Sequence, residues 1–289
     1  MGSPARSKHA IKLRGAGGAS AQGTRPSQQD QYTIILPDEI PKATISDELA
    51  IFAVYDGQKV AQHANGNIRE LLFEGDALQA GRYEDAIREA IQKEEAMLLE
   101  ECQDGEEKFA ISGSTVSVVI INLTKGLLVV GNLGDSHILM GECDITGQLE
   151  TVHRLTQDHK PDNPKEKERI EDAGGMVNYA FNSARIGPST AGQELAAMTP
   201  SIEQGNFLST EPSIIRVNLQ KDRRYILALT TDGVTNVLED NVIINKIKTR
   251  HEGGLGVQQV ADELVRDVAE GLRRDNATCI AVFLDGCLS

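Results

Sequence analysis

Short apolar stretches rich in β-branched residues recur along this chain. "YTIIL" (32–36), "LAIFAVY" (49–55), "STVSVVIIN" (114–122), "GLLVVG" (126–131), "HILM" (137–140), "SIIRVNL" (213–219), "RYILALT" (224–230) and "TCIAVFL" (278–284) each predict a strand. Many are separated by Gly, Asn or Asp turns, which favours antiparallel meanders over strand–helix–strand units. "INLTKGLLVVGNLGDSHILMG" reads as three consecutive strands joined by hairpins. "VAQHANGNIRELLFEG" and "RYEDAIREAIQKEEAMLLEEC" carry apolar residues at three-and-four spacing and follow one another with no strand between. "NPKEKERIEDAGG" opens on Asn-Pro and closes on Gly-Gly, the punctuation of a helix, and "GVQQVADELVRDVAEGLRR" is an amphipathic helix before the last strand. Strands grouped with strands and helices with helices predict an α+β sandwich.

No repeat and no linker divides the chain. Residues 1–28 carry Lys and Arg without an acid, are Gly-rich and lack an amphipathic period. The chain is therefore read as a flexible terminus over 1–14 and a single domain over 15–289. With 289 residues and 40% hydrophobic content, the core needs no disulfide staples. Trp is absent and aromatics make up 4%, which argues against base stacking; a net charge of −14 argues against nucleic acid and anionic membranes. The same charge suits a protein that gathers divalent cations. Cys102, Cys143, Cys279 and Cys287 form no CxxC pair and have no His at zinc-ligand spacing, so they read as reduced thiols of an intracellular protein. The expected state is a soluble monomer in the cytoplasm or nucleus; the acid-free N-terminus raises a mitochondrial alternative. No apolar run approaches the ~20 residues of a membrane span.

Four acids share one context. Asp56 follows "FAVY", Asp135 follows "VVGNLG", Asp232 follows "ILALTT", and Asp275 precedes "NATCIAVF"; Gly57, Gly134 and Gly233 adjoin three of them. Asp-Gly alone merely ends a strand. Four carboxylates converging at the edge of a buried sheet would repel one another, and a bound divalent cation removes that penalty. Oxygen ligands without Cys or His point to Mg²⁺ or Mn²⁺.

In order along the chain, "GTRPSQQDQY", "FAVYDGQKV", "SGSTVSVVII", "VGNLGDSHILM", "LTQDHKPDNPKEKERIEDAGGMV", "ILALTTDGVTNVLED" and "RRDNATCIAVFL" resemble the motifs of the metal-dependent type 2C Ser/Thr protein phosphatases. The resemblance implies two packed antiparallel sheets flanked by helices, a four-layer α-β-β-α sandwich with a two-metal site at one end. It implies that Asp56 bridges two Mg²⁺ or Mn²⁺ ions, the Gly57 carbonyl binds one, Asp232 and Asp275 complete the other's shell, and Asp30 supports it through water. Arg25 would hold the substrate phosphate, and Asp135 matches a position linked to a weaker third ion. Two close cations make a bridging water acidic enough to yield hydroxide, which attacks phosphorus in line. No nucleophilic Ser is needed, so "SGST" reads as packing inside a strand.

Four departures bear on activity. Gln58 stands where the family has the His proposed as general acid, and an amide has no proton of useful pKa to donate; His63, five residues on, is a weak substitute. Gln29 replaces a Glu before Asp30, and Asn236 stands where many members bind the third metal through Asp. The loop "LAAMTPSIE" (195–203) puts Thr199 in place of an Arg. The expected function is a metal-dependent phosphomonoester hydrolase, of reduced or altered activity, acting on a phosphoprotein or small phosphorylated substrate. The alternatives are a pseudophosphatase serving as a binding module and a metallohydrolase redirected to a small metabolite.

Overall fold

The strongest strand runs are apolar at every position because both of their faces are covered. In β3 (Leu49–Asp56), Leu49, Ile51, Ala53 and Tyr55 join one hydrophobic cluster while Ala50, Phe52 and Val54 join another. β4 (Val116–Asn122) divides likewise, with Val118 and Ile120 on one side and Val119 and Ile121 on the other. In β11 (Arg224–Thr230) and β12 (Ala277–Gly286), Leu227, Leu229, Ile280 and Val282 face that second cluster, and Ala228, Cys279 and Ala281 face a third. Period-two geometry thus sorts each run between two cores.

The computed structural model of the chain describes residues 9–42, 45–103, 113–180, 183–187 and 209–288. Together with β1 (Ile11–Ala21), β2 (Asp30–Ile35), β5 (Leu127–Leu133), β6 (His137–Cys143), β7 (Leu149–Arg154) and β10 (Ser213–Asn218), these strands build two five-stranded sheets. One runs β10-β5-β4-β3-β2 and the other β1-β12-β11-β6-β7, with antiparallel neighbours throughout. A separate hairpin pairs β8 (Met176–Ala180) with β9 (Ser183–Gly187). The middle cluster lies between the sheets. The first sheet's outer face is covered by α1 (Gln58–Glu74), α2 (Asp76–Gln79) and α3 (Tyr83–Gln103). The second sheet's outer face is covered by α5 (Asp232–Thr235), α6 (Asp240–Glu252) and α7 (Val257–Ala269). α4 (Pro164–Asp172) has Pro at its first position and Asn163 as N-cap, accepting from the Lys165 N–H, as the Asn-Pro signal predicts. The four-layer α-β-β-α sandwich is therefore present.

Three expectations need correction. β4 and β5 form a hairpin, but β6 leaves for the other sheet and pairs with β11 and β7, so the meander breaks at Gly134–Asp135. Gly113, Ser114 and Thr115 stand outside β4 and do not pack inside a strand. β1 begins at Ile11, ahead of residue 15, because Ile11, Lys12 and Leu13 pair with Gly286, Asp285 and Leu284. The rewritten segment 195–203, with Thr199, lies outside the described residues. All four cysteines are free thiols, and no helix among the described residues is long and apolar enough to cross a membrane.

Candidate active site

β2 and β3 pair so that Asp30 lies directly opposite Asp56. Like charges in that position repel across the ladder. Asp30 is nearly inaccessible, and its Oδ2 accepts hydrogen bonds from Thr231 Oγ1 at 2.7 Å and Thr278 Oγ1 at 2.9 Å. These two hydroxyls come from the end of β11 and from β12, so the acid of one sheet is anchored by the other. Asp232 opens α5 immediately after Thr231, and Asp275 stands two residues before β12. The expected acids Asp30, Asp56, Asp232 and Asp275 thus gather where the ends of both sheets meet.

Their proton affinities record the crowding. Burial, then the charges of Asp30 and Asp232, a hydrogen bond with Asp232 and the charge of Asp135 push the Asp56 carboxyl up to about 8. Burial also raises Asp30, to about 6, against the two threonine hydroxyls and with Asp232 and Asp275 adding repulsion. Burial and the charges of Asp135 and Asp275 raise Asp232, against the Asp56 hydrogen bond and Lys160.

The other expected residues fall around this centre. Arg25, exposed in the loop before β2, sets Nη2 2.5 Å from Asp275 Oδ2; Asp275 Oδ1 accepts from the Asn276 N–H. Asn236 donates to Asp232 Oδ2 at 3.0 Å. Gln29 donates its backbone N–H to Asn276 Oδ1 and its side chain to Ser27. Asp135, in the crossover from β5 to β6, lies 3.5 Å from Lys160 Nζ. Gly57 has φ 146° and its carbonyl accepts from the Ala61 N–H at 2.6 Å, leaving one lone pair. Gln58 is exposed at the first position of α1. His63 is engaged by α3: Nδ1 lies 2.6 Å from Glu94 and Nε2 3.0 Å from Glu101.

Several contributors escape a search for acids. Thr231 and Thr278 aim Asp30. Thr115 clamps the Asp56 backbone, donating its N–H to the Asp56 carbonyl at 2.9 Å and accepting from the Asp56 N–H at 3.1 Å. His137 is buried between Asp158 (Nε2 at 2.7 Å) and Thr235 (Nδ1 at 3.0 Å), tying β6 to α5; its bond lowers the Asp158 carboxyl to about 2, with burial opposing and Lys160 assisting. The only sequence signal for Thr231 and Thr278 is that Thr231 precedes Asp232 and Thr278 follows three residues after Asp275.

Among the described residues no group of three or more His, Cys, Asp or Glu is placed to hold a metal ion. The donors nonetheless suit a hard cation. They are all oxygens, from carboxylates and the Gly57 carbonyl, and the buried Oδ1 atoms of Asp30 and Asp232 have no hydrogen-bond partner. Orphaned buried carboxylate oxygens are costly unless a cation meets them.

Comparison with known proteins agrees with this architecture. The family model for protein phosphatase 2C matches residues 15–277. A probable protein phosphatase 2C of Paramecium tetraurelia is 28% identical, the match covering 92% of this chain and 90% of that protein. Protein phosphatase 2C homolog 3 of Schizosaccharomyces pombe is 26% identical over 92% of this chain and 64% of its own length. The crystal structure of a serine-threonine phosphatase 2C from Toxoplasma gondii superposes with a TM-score of 0.74 at 24% identity, covering 93% of this chain and 94% of that one. A match of this extent settles the family: the chain belongs to the protein phosphatase 2C family.

Proposed function

We propose that this protein is a Mg²⁺- or Mn²⁺-dependent phosphomonoester hydrolase acting on phosphorylated Ser or Thr, with a weakened step for expelling a poor leaving group. Protein phosphatases 2C are metal-dependent and act on phosphoproteins. The observation that carries the reading for this chain is the Asp30–Asp56 ladder pair beside Asp232, with orphaned oxygens and raised proton affinities. Asp56, Asp232, Asp275 and the free lone pair of Gly57 would hold the ions, and Asp30, aimed by Thr231 and Thr278, would act through water. Asp135 would serve a weaker third site, where Asn236 supplies no charge. Bound ions supply Lewis-acid polarisation of phosphoryl oxygens and a water acidic enough to act as nucleophile.

The chain's own residues do the rest. Arg25 reaches the site and has donors beyond the one engaged with Asp275, enough to bind two phosphoryl oxygens. Gln58 can hydrogen-bond a leaving oxygen but gives it no proton, so a serine or threonine alkoxide must take one from solvent. An aryl oxide leaves without that help.

A second reading, a binding module with little turnover, is favoured by one observation. Arg25 and Asn236 occupy oxygens of Asp275 and Asp232 that would otherwise face a cation. One assay set separates the two: Mn²⁺-dependent hydrolysis of p-nitrophenyl phosphate and of a phosphothreonine peptide by the parent, Asp56→Ala and Gln58→His. We expect aryl turnover by the parent, none by Asp56→Ala, and peptide turnover raised about tenfold or more by Gln58→His. No turnover of either substrate by the parent at millimolar Mn²⁺ would leave the binding module standing.

A further inference from the structure

Glu95, Leu98, Leu99 and Cys102 recur at i, i+3, i+4 and i+7 along α3 and so share one face of it. That face is one wall of a cavity of about 480 Å³ whose floor reaches Asp56 and Thr115. Thr115 is bonded twice to the Asp56 backbone, which ties the cavity lining to the acidic centre. The wall beside Asp56 is apolar: Val60 and Leu98 line it, and Leu99 stays 54% exposed at its side.

Glu95 is the anomaly in this wall. Its neighbour Glu94 is held by His63, and Glu166 across the cavity is held by Arg169. Glu95 is half-buried and has no hydrogen bond or ion pair with any described residue. Burial, then repulsion from Glu94, raise its carboxyl above the usual range, and no partner offsets them. An acid left in that state is relieved by a cation brought by whatever fills the cavity.

We infer that this cavity is the subsite for residues flanking the phosphorylated one, taking an apolar side chain over Leu98 and Leu99 and a Lys or Arg against Glu95. The occupant is thus a basic, apolar-flanked phosphopeptide, and the net charge of −14 favours its approach. The inference rests on the phosphatase reading for the phosphoryl end only.

Fluorescence anisotropy with labelled phosphothreonine peptides in Mn²⁺ tests it. Flanks of Leu and Arg, Leu and Glu, and Ala and Arg are placed on either side of the phosphothreonine. The parent is expected to bind the Leu/Arg peptide about tenfold tighter than the Leu/Glu peptide on one side. Glu95→Gln should shrink that preference to threefold or less, and Glu95→Lys should invert it. Leu99→Ala should weaken the Leu-bearing peptides and spare the Ala/Arg peptide. Hydrolysis of p-nitrophenyl phosphate, which has no flanking residue, should be unchanged in all three variants. Lack of discrimination by the parent, or an unchanged ranking in Glu95→Lys, overturns the subsite. Lack of aryl hydrolysis by the parent would sink the phosphatase reading, while the anisotropy ranking still decides the subsite.

Discussion

Asp56 carries the largest electrostatic burden in the site, and its pH dependence follows from the sign of its shift. A carboxyl raised to about 8, with Asp30 raised to about 6, binds its proton more tightly folded than unfolded. The stability this contributes is present below the ordinary aspartate value near 4 and is lost as pH climbs through 6 and 8. The metal-free protein should therefore lose Tm between pH 5 and 8.5 by calorimetry, and Asp56→Asn should flatten that slope and be the more stable of the two at pH 8. Mn²⁺ at a hundred times Kd should add about 2.7 kcal/mol per occupied site to the parent at pH 8. Parallel Tm–pH curves for parent and variant would contradict the crowded-carboxylate account. The acids themselves were legible in the sequence because each ends or begins an apolar run. Their partners were not: Thr231 and Thr278 reach Asp30 from 201 and 248 residues away, and no local pattern marks such a contact.

At the level of elements, the junction of β3 and α1 fixes where Asp56 and Gln58 sit. Gly57 bridges them at φ 146°, a region closed to residues with a side chain, and a Cβ there would lie 2.1 Å from the Gly113 carbonyl oxygen. Gly57→Ala should cost more than about 2 kcal/mol in urea unfolding and weaken Mn²⁺ binding measured by titration calorimetry. A variant of parental stability and affinity would show that the junction can relax. The helices that periodicity predicts are present, and α6 stands beyond them. β1 carries no apolar run to mark it. Its glycines lend the N-terminal stretch the composition of a flexible terminus, yet a Cβ at Gly17 would lie 2.6 Å from the Gln258 backbone and one at Gly18 2.6 Å from Tyr32. The strand is glycine-rich because α7 and β2 lie hard against it, and packing of that kind leaves no periodic trace.

Across the whole molecule, stability resides in the layer between the sheets. Phe52 is fully buried there, together with Val54, Leu227, Leu229 and Val282. Phe52→Ala should cost about 3–5 kcal/mol, read from the urea midpoint at unchanged slope. A loss below about 1 kcal/mol would mean the sheets close over the void. The number and position of the central strands, the amphipathic helices and the acids at the strand ends were determined by the sequence alone, because apolar runs, three-and-four spacing and Asp-Gly punctuation are local properties. Only the tertiary structure decided that β6 changes sheets, that Asp30 faces Asp56 under Thr278 of β12 and Thr231 just past β11, that Arg25 rests on Asp275, and that Glu95 stands beside a cavity without a partner. An apolar run buried on both faces reads the same in either sheet, and a charge has no partner until distant segments are brought within a few ångströms.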